Sequence, residues 1–199
     1  MRIATKEYKV YKYEELSEEA KEKVKINYLE NIDGDIFTDT VYEDLQSLYG
    51  KGIENLKTYY SLSNCQGDGL CFCGKIYLDD ISKELEKIFY KNFDEKDFQN
   101  LKEIKEYNGK ILFEHTSNHY FHKYTVDIDI EIDSEYDDEC NEEHEKTVKK
   151  LLSNVKEWYY DTCDFYEKWG YKYFYEVDDE TLQDYYQDDE FLENGKIFY

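Results

Sequence analysis

Val126-Asp127-Ile128-Asp129-Ile130-Glu131-Ile132-Asp133 alternates branched apolar residues with acids. A period of two is the pattern of a strand with one buried and one solvated face. Val126, Ile128, Ile130 and Ile132 are predicted to face a core. Asp127, Asp129, Glu131 and Asp133 then share the opposite face, spaced about 6.6 Å, twice the rise per residue. The uniform sign is the unusual part. A mixed face of Lys and Glu is equally soluble and repels itself less. The acids continue through Glu135, Asp137, Asp138 and Glu139, and residues 127–145 hold 11 acids and no Lys or Arg.

Working outward, the strand pairs with its upstream neighbour. Residues 111–115 and 120–132 are predicted to form a hairpin, and 53–62 and 70–78 are predicted strands flanking the loop 63–69. Helical spacing marks 81–90 and 98–107, with a turn at Asn108-Gly109. Downstream, Val148, Leu151, Leu152, Val155, Trp158, Tyr159, Thr162, Tyr166 and Trp169 recur at three-and-four spacing, so a long amphipathic helix is expected. Residues 181–188 read as a short helix and 195–199 as a closing strand. Near the start, 6–13 reads as a strand. Ser17 is an expected N-cap, with Glu18 and Glu19 behind it. Residues 38–49 form a second helix with the stripe Val41, Leu45 and Leu48, and Gly50 is placed to end it. The sum is an α+β fold with a mostly antiparallel sheet, helices packed on one face and a long C-terminal amphipathic helix. We read residues 1–199 as a single domain, its acidic face concentrated in 126–199.

Composition narrows the function. The 199 residues carry 48 acids against 25 bases, a net charge of -23, and 126–199 hold 24 of the acids and 7 of the bases. Such a chain has no cationic surplus to release counterions from phosphate, which argues against direct nucleic-acid binding. An anionic membrane surface is disfavoured for the same reason. Mean hydropathy is -0.93, yet 40% hydrophobic and 18% aromatic content can build a core. Disorder is therefore a poor description. No apolar run approaches the roughly 18 residues that span a bilayer. Proline is absent, Arg2 is the one arginine, and tyrosines number 23. AT-rich coding and selection for a Tyr-rich surface both account for that bias. The aromatics of 158–199, interleaved with Asp161, Asp164, Glu167 and Glu176, divide between core and a surface suited to a basic partner. Five cysteines, with no signal-peptide pattern at the start, lead us to expect reduced thiols in a cytosol.

Chemistry-bearing motifs are few. Asp33-Gly34-Asp35 begins like a calcium loop, but Phe37 stands where the next ligand belongs. Cys71-x-Cys73 with Cys65 supplies three sulfurs, one short of a closed zinc site, and buried small side chains are the simpler description. His115, His119 and His122 sit close together in sequence, as strand-edge and turn residues or as a metal set. No P-loop, dinucleotide fingerprint or serine-nucleophile elbow occurs. We therefore assign no catalytic residue, no metal ligand and no cofactor. The remaining candidate is Gln66-Gly67-Asp68-Gly69, either a turn in which glycine permits positive φ and Asp bonds its own backbone, or a binding loop.

The stretch Ser61-Leu62-Ser63-Asn64-Cys65-Gln66-Gly67-Asp68-Gly69-Leu70-Cys71-Phe72 resembles a segment of a family of small uncharacterised phage and prophage proteins. That family carries a Ser-rich strand followed by Gln-Gly-Asp-Gly. Residues 11–21, the segment 118–125 and the close 173–198 are similar to the same family. Asn64-Cys65 departs from its pattern, where an aromatic-Ser pair is expected. The resemblance implies a phage or prophage origin and a bacterial cytoplasm. Members are sometimes labelled antitoxin-like, and no catalytic residue carries over.

These features together suggest a non-enzymatic counter-defence inhibitor of the anti-CRISPR or anti-nuclease kind. Its expected partner is a basic nucleic-acid-binding protein or nuclease complex of the bacterial host, met by charge mimicry through Asp127, Asp129, Glu131, Asp133, Glu135, Asp137, Asp138 and Glu139. One alternative is an antitoxin-like protein masking a basic toxin. Another is a small metal-binding protein or enzyme using Gln66–Gly69 and the nearby histidines.

Overall fold

A computed structural model describes residues 6–48, 53–133 and 142–199. In chain order the elements are α1 (Glu18–Glu30), α2 (Gly34–Leu48), β1 (Glu54–Ser61), β2 (Gly69–Tyr77), α3 (Lys83–Phe89), α4 (Glu95–Glu106), β3 (Lys110–His115), β4 (Val126–Glu131), α5 (Glu142–Tyr175) and α6 (Asp179–Tyr185). The chain divides into two compact units, one of residues 35–170 and one of residues 1–34 with 171–199. The fold is α+β, as the sequence predicts. Among the described residues no helix is long and apolar enough to cross a membrane.

The unit of 35–170 is built on a four-stranded antiparallel meander in the order β1-β2-β3-β4. Apolar side chains alternate along each strand, so one face collects Phe72, Ile76, Ile111, Phe113, Ile128 and Ile130, all buried. Helix α5 covers that face. Phe72 meets Trp158 and Tyr159 at ring separations of 5.9 and 4.5 Å, and Phe113 stacks on Tyr159 at 5.3 Å. Pairing of β2 with β3 ends at Gly74–Phe113. Beyond it, the Tyr159 hydroxyl takes the place of the missing strand. It donates to the Phe72 carbonyl at 2.9 Å and accepts from the Phe72 N–H at 3.2 Å. Burial drives the Tyr159 phenol far above its ordinary pKa, so it stays a neutral donor and acceptor. Gly170 lets α5 approach its neighbours, since a Cβ there would stand 2.4 Å from the Leu62 side chain.

A polar seam joins α4 to α5. Asp94 caps α4 by accepting from the Lys96 and Asp97 N–H groups, and Asp97 reaches back to the Asp94 N–H at 3.0 Å. Asp97 also accepts from Thr147 at 2.9 Å and from Lys150 at 2.5 Å. Burial alone would raise its pKa. The Lys150 ammonium, the Asp94 N–H and the Thr147 hydroxyl outweigh burial and hold the carboxyl below its ordinary value.

In the other unit, Tyr13, Leu16, Ala20, Val24, Leu182, Tyr186 and Phe191 form a separate core. Ser17 caps α1 through the Ala20 N–H, as its position predicts. Asp178 caps α6 through the Thr181 N–H at 2.8 Å. Neither strand expected here, 6–13 near the start or 195–199 at the close, forms. Residues 6–10 carry no regular structure, Tyr11 makes one antiparallel bridge to Phe191, and Ile197 makes another. A strand needs a run of opposing main-chain groups, and here each pairing stops after one. Tyr13 then enters the 3-10 turn that precedes α1.

Other boundaries also differ from expectation. β4 starts at Val126, not at 120, because Thr125 closes a turn on the His122 carbonyl through its N–H at 2.8 Å and its hydroxyl at 2.7 Å. Helix α2 begins at Gly34, four residues earlier than expected. Gly50, its expected stop, lies outside the described residues.

Candidate functional site

The acidic strand takes the form its alternation predicts. Val126, Ile128 and Ile130 are buried, whereas Asp127, Asp129 and Glu131 are exposed. β4 is an edge of the sheet. The cross-strand register sets Asp127 opposite Glu114, Asp129 opposite Leu112 and Glu131 opposite Lys110. Glu131 is neutralised, with its oxygen 2.8 Å from Lys110 Nζ. Asp133, just past the strand, accepts from the Asn108 amide at 2.7 Å. Asp129 accepts from the Ile130 N–H at 2.8 Å. Neither Asp127 nor Asp129 pairs with a Lys or Arg among the described residues, and Asp127 faces another acid. Glu135, Asp137, Asp138 and Glu139 lie outside the described residues.

The second candidate, Gln66-Gly67-Asp68-Gly69, is a tight loop organised by one carboxylate. Asp68 Oδ2 accepts from the N–H groups of Ser63 at 2.7 Å and Cys65 at 2.9 Å. Its Oδ1 accepts from the Ser61 and Ser63 hydroxyls at 3.0 and 3.2 Å and from the Cys65 thiol at 3.0 Å. Gly67 has φ +97°, in the left-handed region that favours glycine. A Cβ there would also stand 2.5 Å from the Tyr120 ring. The glycine thus serves both a backbone conformation and a close contact with the segment that follows β3.

That contact closes one wall of a cleft of about 620 Å³. Gln66, Gly67 and Asp68 line one side. Tyr120, His122, Lys123 and Tyr124 line a second, and Asp164 and Glu167 of α5 the third. Lys123 Nζ sits 2.5 Å from Asp164, and 5.2 and 5.7 Å from the ring centres of Tyr124 and Tyr160. Glu167 makes no hydrogen bond or ion pair among the described residues. Burial first, then the charges of Asp164 and Asp68, raise its pKa above the usual carboxylate range, against the opposing pull of Lys123 and His122. His122 Nδ1 is buried and likewise has no hydrogen-bond partner among the described residues.

The three neighbouring histidines therefore part company. His122 lines the cleft. His115 stacks on Tyr59 and Phe121, with Nε2 2.9 Å from the Tyr120 carbonyl. His119 is exposed. Among the described residues no three His, Cys, Asp or Glu side chains converge in a geometry suited to a metal ion. Cys71 is buried and Cys73 half-buried, and burial pushes their thiols up to about 12 and about 11. Such thiols are poor nucleophiles at neutral pH.

The sequence marks the loop and His122 but does not join them to Asp164 and Glu167. Those two acids show only as members of an aromatic-rich helix face. Their three-residue spacing is the one available signal that they share a side of α5.

A meander sheet backed by one long helix thus carries both the acidic edge strand and the cleft between two loops and that helix. The chain belongs to the family described as a domain of unknown function, DUF8835, which matches residues 37–168 and so spans both candidate sites. No curated protein and no solved structure matches the chain.

Proposed function

We propose that the chain is an acidic, non-enzymatic inhibitor that occupies the basic nucleic-acid-binding surface of another protein. The observation that carries this is the outer face of β4. Asp127 and Asp129 are exposed and unpaired with any cation among the described residues, and Asp127 sits opposite Glu114. Like charges directly opposite destabilise a sheet. Protecting an edge strand needs charge of either sign, and Lys serves it well. A row of one sign is instead what a surface lined with Lys and Arg would select. The whole-chain charge of -23 adds long-range steering toward such a surface.

The setting we infer is counter-defence in a bacterial cytoplasm, against a nuclease or CRISPR-type effector, in keeping with the phage-protein resemblance. The test is affinity capture from a nuclease-treated bacterial lysate, wild type against a variant with Asp127→Asn, Asp129→Asn, Glu131→Gln and Asp133→Asn. Exposed charge pairs contribute about 0.2–1 kcal/mol each. Four should together contribute roughly 2 kcal/mol, about thirtyfold in affinity. Loss of one nucleic-acid-binding protein from the variant is expected. Its retention at physiological salt would overturn the mechanism.

A further inference from the structure

The cleft between the 66–68 loop, the 120–124 segment and α5 lies apart from the outer face of β4 and has its own chemistry. Lys123 shows what its walls hold well. An alkylammonium there rests 2.5 Å from a carboxylate, with two tyrosine rings within 6 Å. One turn further along α5, Glu167 presents a second carboxylate to the same cleft, and no cation comes within ion-pair distance of it among the described residues. The rings of Tyr120, His122 and Tyr124 follow one another at 6.1 and 6.0 Å, and Tyr120 and Tyr124 are exposed. Three carboxylates, Asp68, Asp164 and Glu167, face one ammonium in this space. The lining thus favours a positive guest and an apolar stem.

We propose that this cleft binds an alkylammonium group, its charge against Glu167 and its methylenes along Tyr120 and Tyr124. A carboxylate beside a cation gains a charge-assisted hydrogen bond. Aromatic faces add an exposed cation–π contribution. A neutral guest of the same shape gains neither. Binding also requires ionised Glu167. The charged and titratable groups facing it are Asp164 on its own helix, Asp68 from the loop, and His122 and Lys123 from the segment before β4. Affinity should therefore fall as acidification protonates Glu167, and the raised pKa places that fall at a higher pH than for an isolated carboxylate.

The test is a titration monitored by backbone amide chemical shifts, using 1,5-diaminopentane and a short peptide bearing one lysine. The same peptide acetylated on its lysine side chain is the neutral control. Saturable shifts at Gln66, Gly67, Tyr124 and Glu167 are expected with both charged probes and not with the acetylated one. Glu167→Gln should weaken binding about tenfold or more, and Tyr124→Ala about threefold. The variant with Asp127→Asn and Asp129→Asn should bind the probes as wild type does, so failure of the inhibitor reading and failure of this one are separable. Tighter binding of the diamine would assign the site to a free amine, and tighter binding of the peptide to a partner's lysine. Equal affinity in wild type and Glu167→Gln, or shifts spread over the acidic surface without saturation, would overturn the proposal.

Discussion

Removing one oxygen, by Tyr159→Phe, should damage this fold more than most core truncations of similar size. The ring would remain, and with it the stacking on Phe113 at 5.3 Å. What disappears is the partner of both Phe72 main-chain groups, at 2.9 and 3.2 Å. Both Phe72 and Tyr159 are fully buried, so water cannot substitute without opening the sheet. An unsatisfied buried polar group costs about 1–3 kcal/mol. Two of them place the loss near 4 kcal/mol, or roughly 8–16 °C in Tm for a chain of this size. Thermal unfolding followed by near-ultraviolet circular dichroism measures it, with amide exchange at Phe72 as a local readout. Tyr173→Phe serves as a control, because its hydroxyl bonds the Asp33 carbonyl in an exposed position and should cost less than about 1 kcal/mol. If Tyr159→Phe shifts Tm no more than that control and leaves Phe72 protection unchanged, the hydroxyl does not complete the sheet and the reasoning fails.

Asp68→Asn should destabilise by about 2 kcal/mol, since an amide nitrogen would face donors that now meet a carboxylate oxygen. Faster exchange of the Ser63 and Cys65 amides is the expected signature, and unchanged protection would contradict it. The carboxyl of Asp97 is held below its ordinary pKa in the folded chain, so the stability it contributes is complete above the unfolded value near 3.9 and is lost as pH falls through the lower folded value. Asp97→Asn should therefore reduce stability at pH 6 and differ little from wild type at the acid end, in urea unfolding at the two pH values. Alkylation of the native chain by iodoacetamide, mapped by peptide mass, should reach exposed Cys65 well before buried Cys71 and Cys163. Equal rates at these three would show that the covering of β2 opens readily.

Much of the architecture is local information. The spacing from Val148 to Trp169 marks α5, though the helix runs further at both ends, and the alternation marks β4 down to which of residues 126–131 are buried. Ile132, expected to face the core, lies past the strand and is half-buried. Ser17 names its own helix start. Local pattern misleads where tyrosines alternate without a strand to pair with. Tyr8 packs on Phe198 at 5.5 Å from an irregular segment, so period two there reflects contacts at the other end of the chain. The cleft was least legible. Asp68, His122 and Glu167 come from three segments up to about a hundred residues apart, and only the folded sheet and α5 bring them together. The Tyr159 hydroxyl belongs to the same class. Its ring fits the helix stripe, but its partner is 87 residues away.

Competition with duplex DNA tests the central claim most directly. The protein captured by the wild-type chain would be purified and titrated with labelled chain in the presence of increasing duplex, at several salt concentrations. The account predicts mutually exclusive binding, an affinity for the chain that falls as salt rises, and a loss of about thirtyfold when Asp127, Asp129, Glu131 and Asp133 are neutralised. A ternary complex in which duplex and chain bind together with undiminished affinity would contradict it.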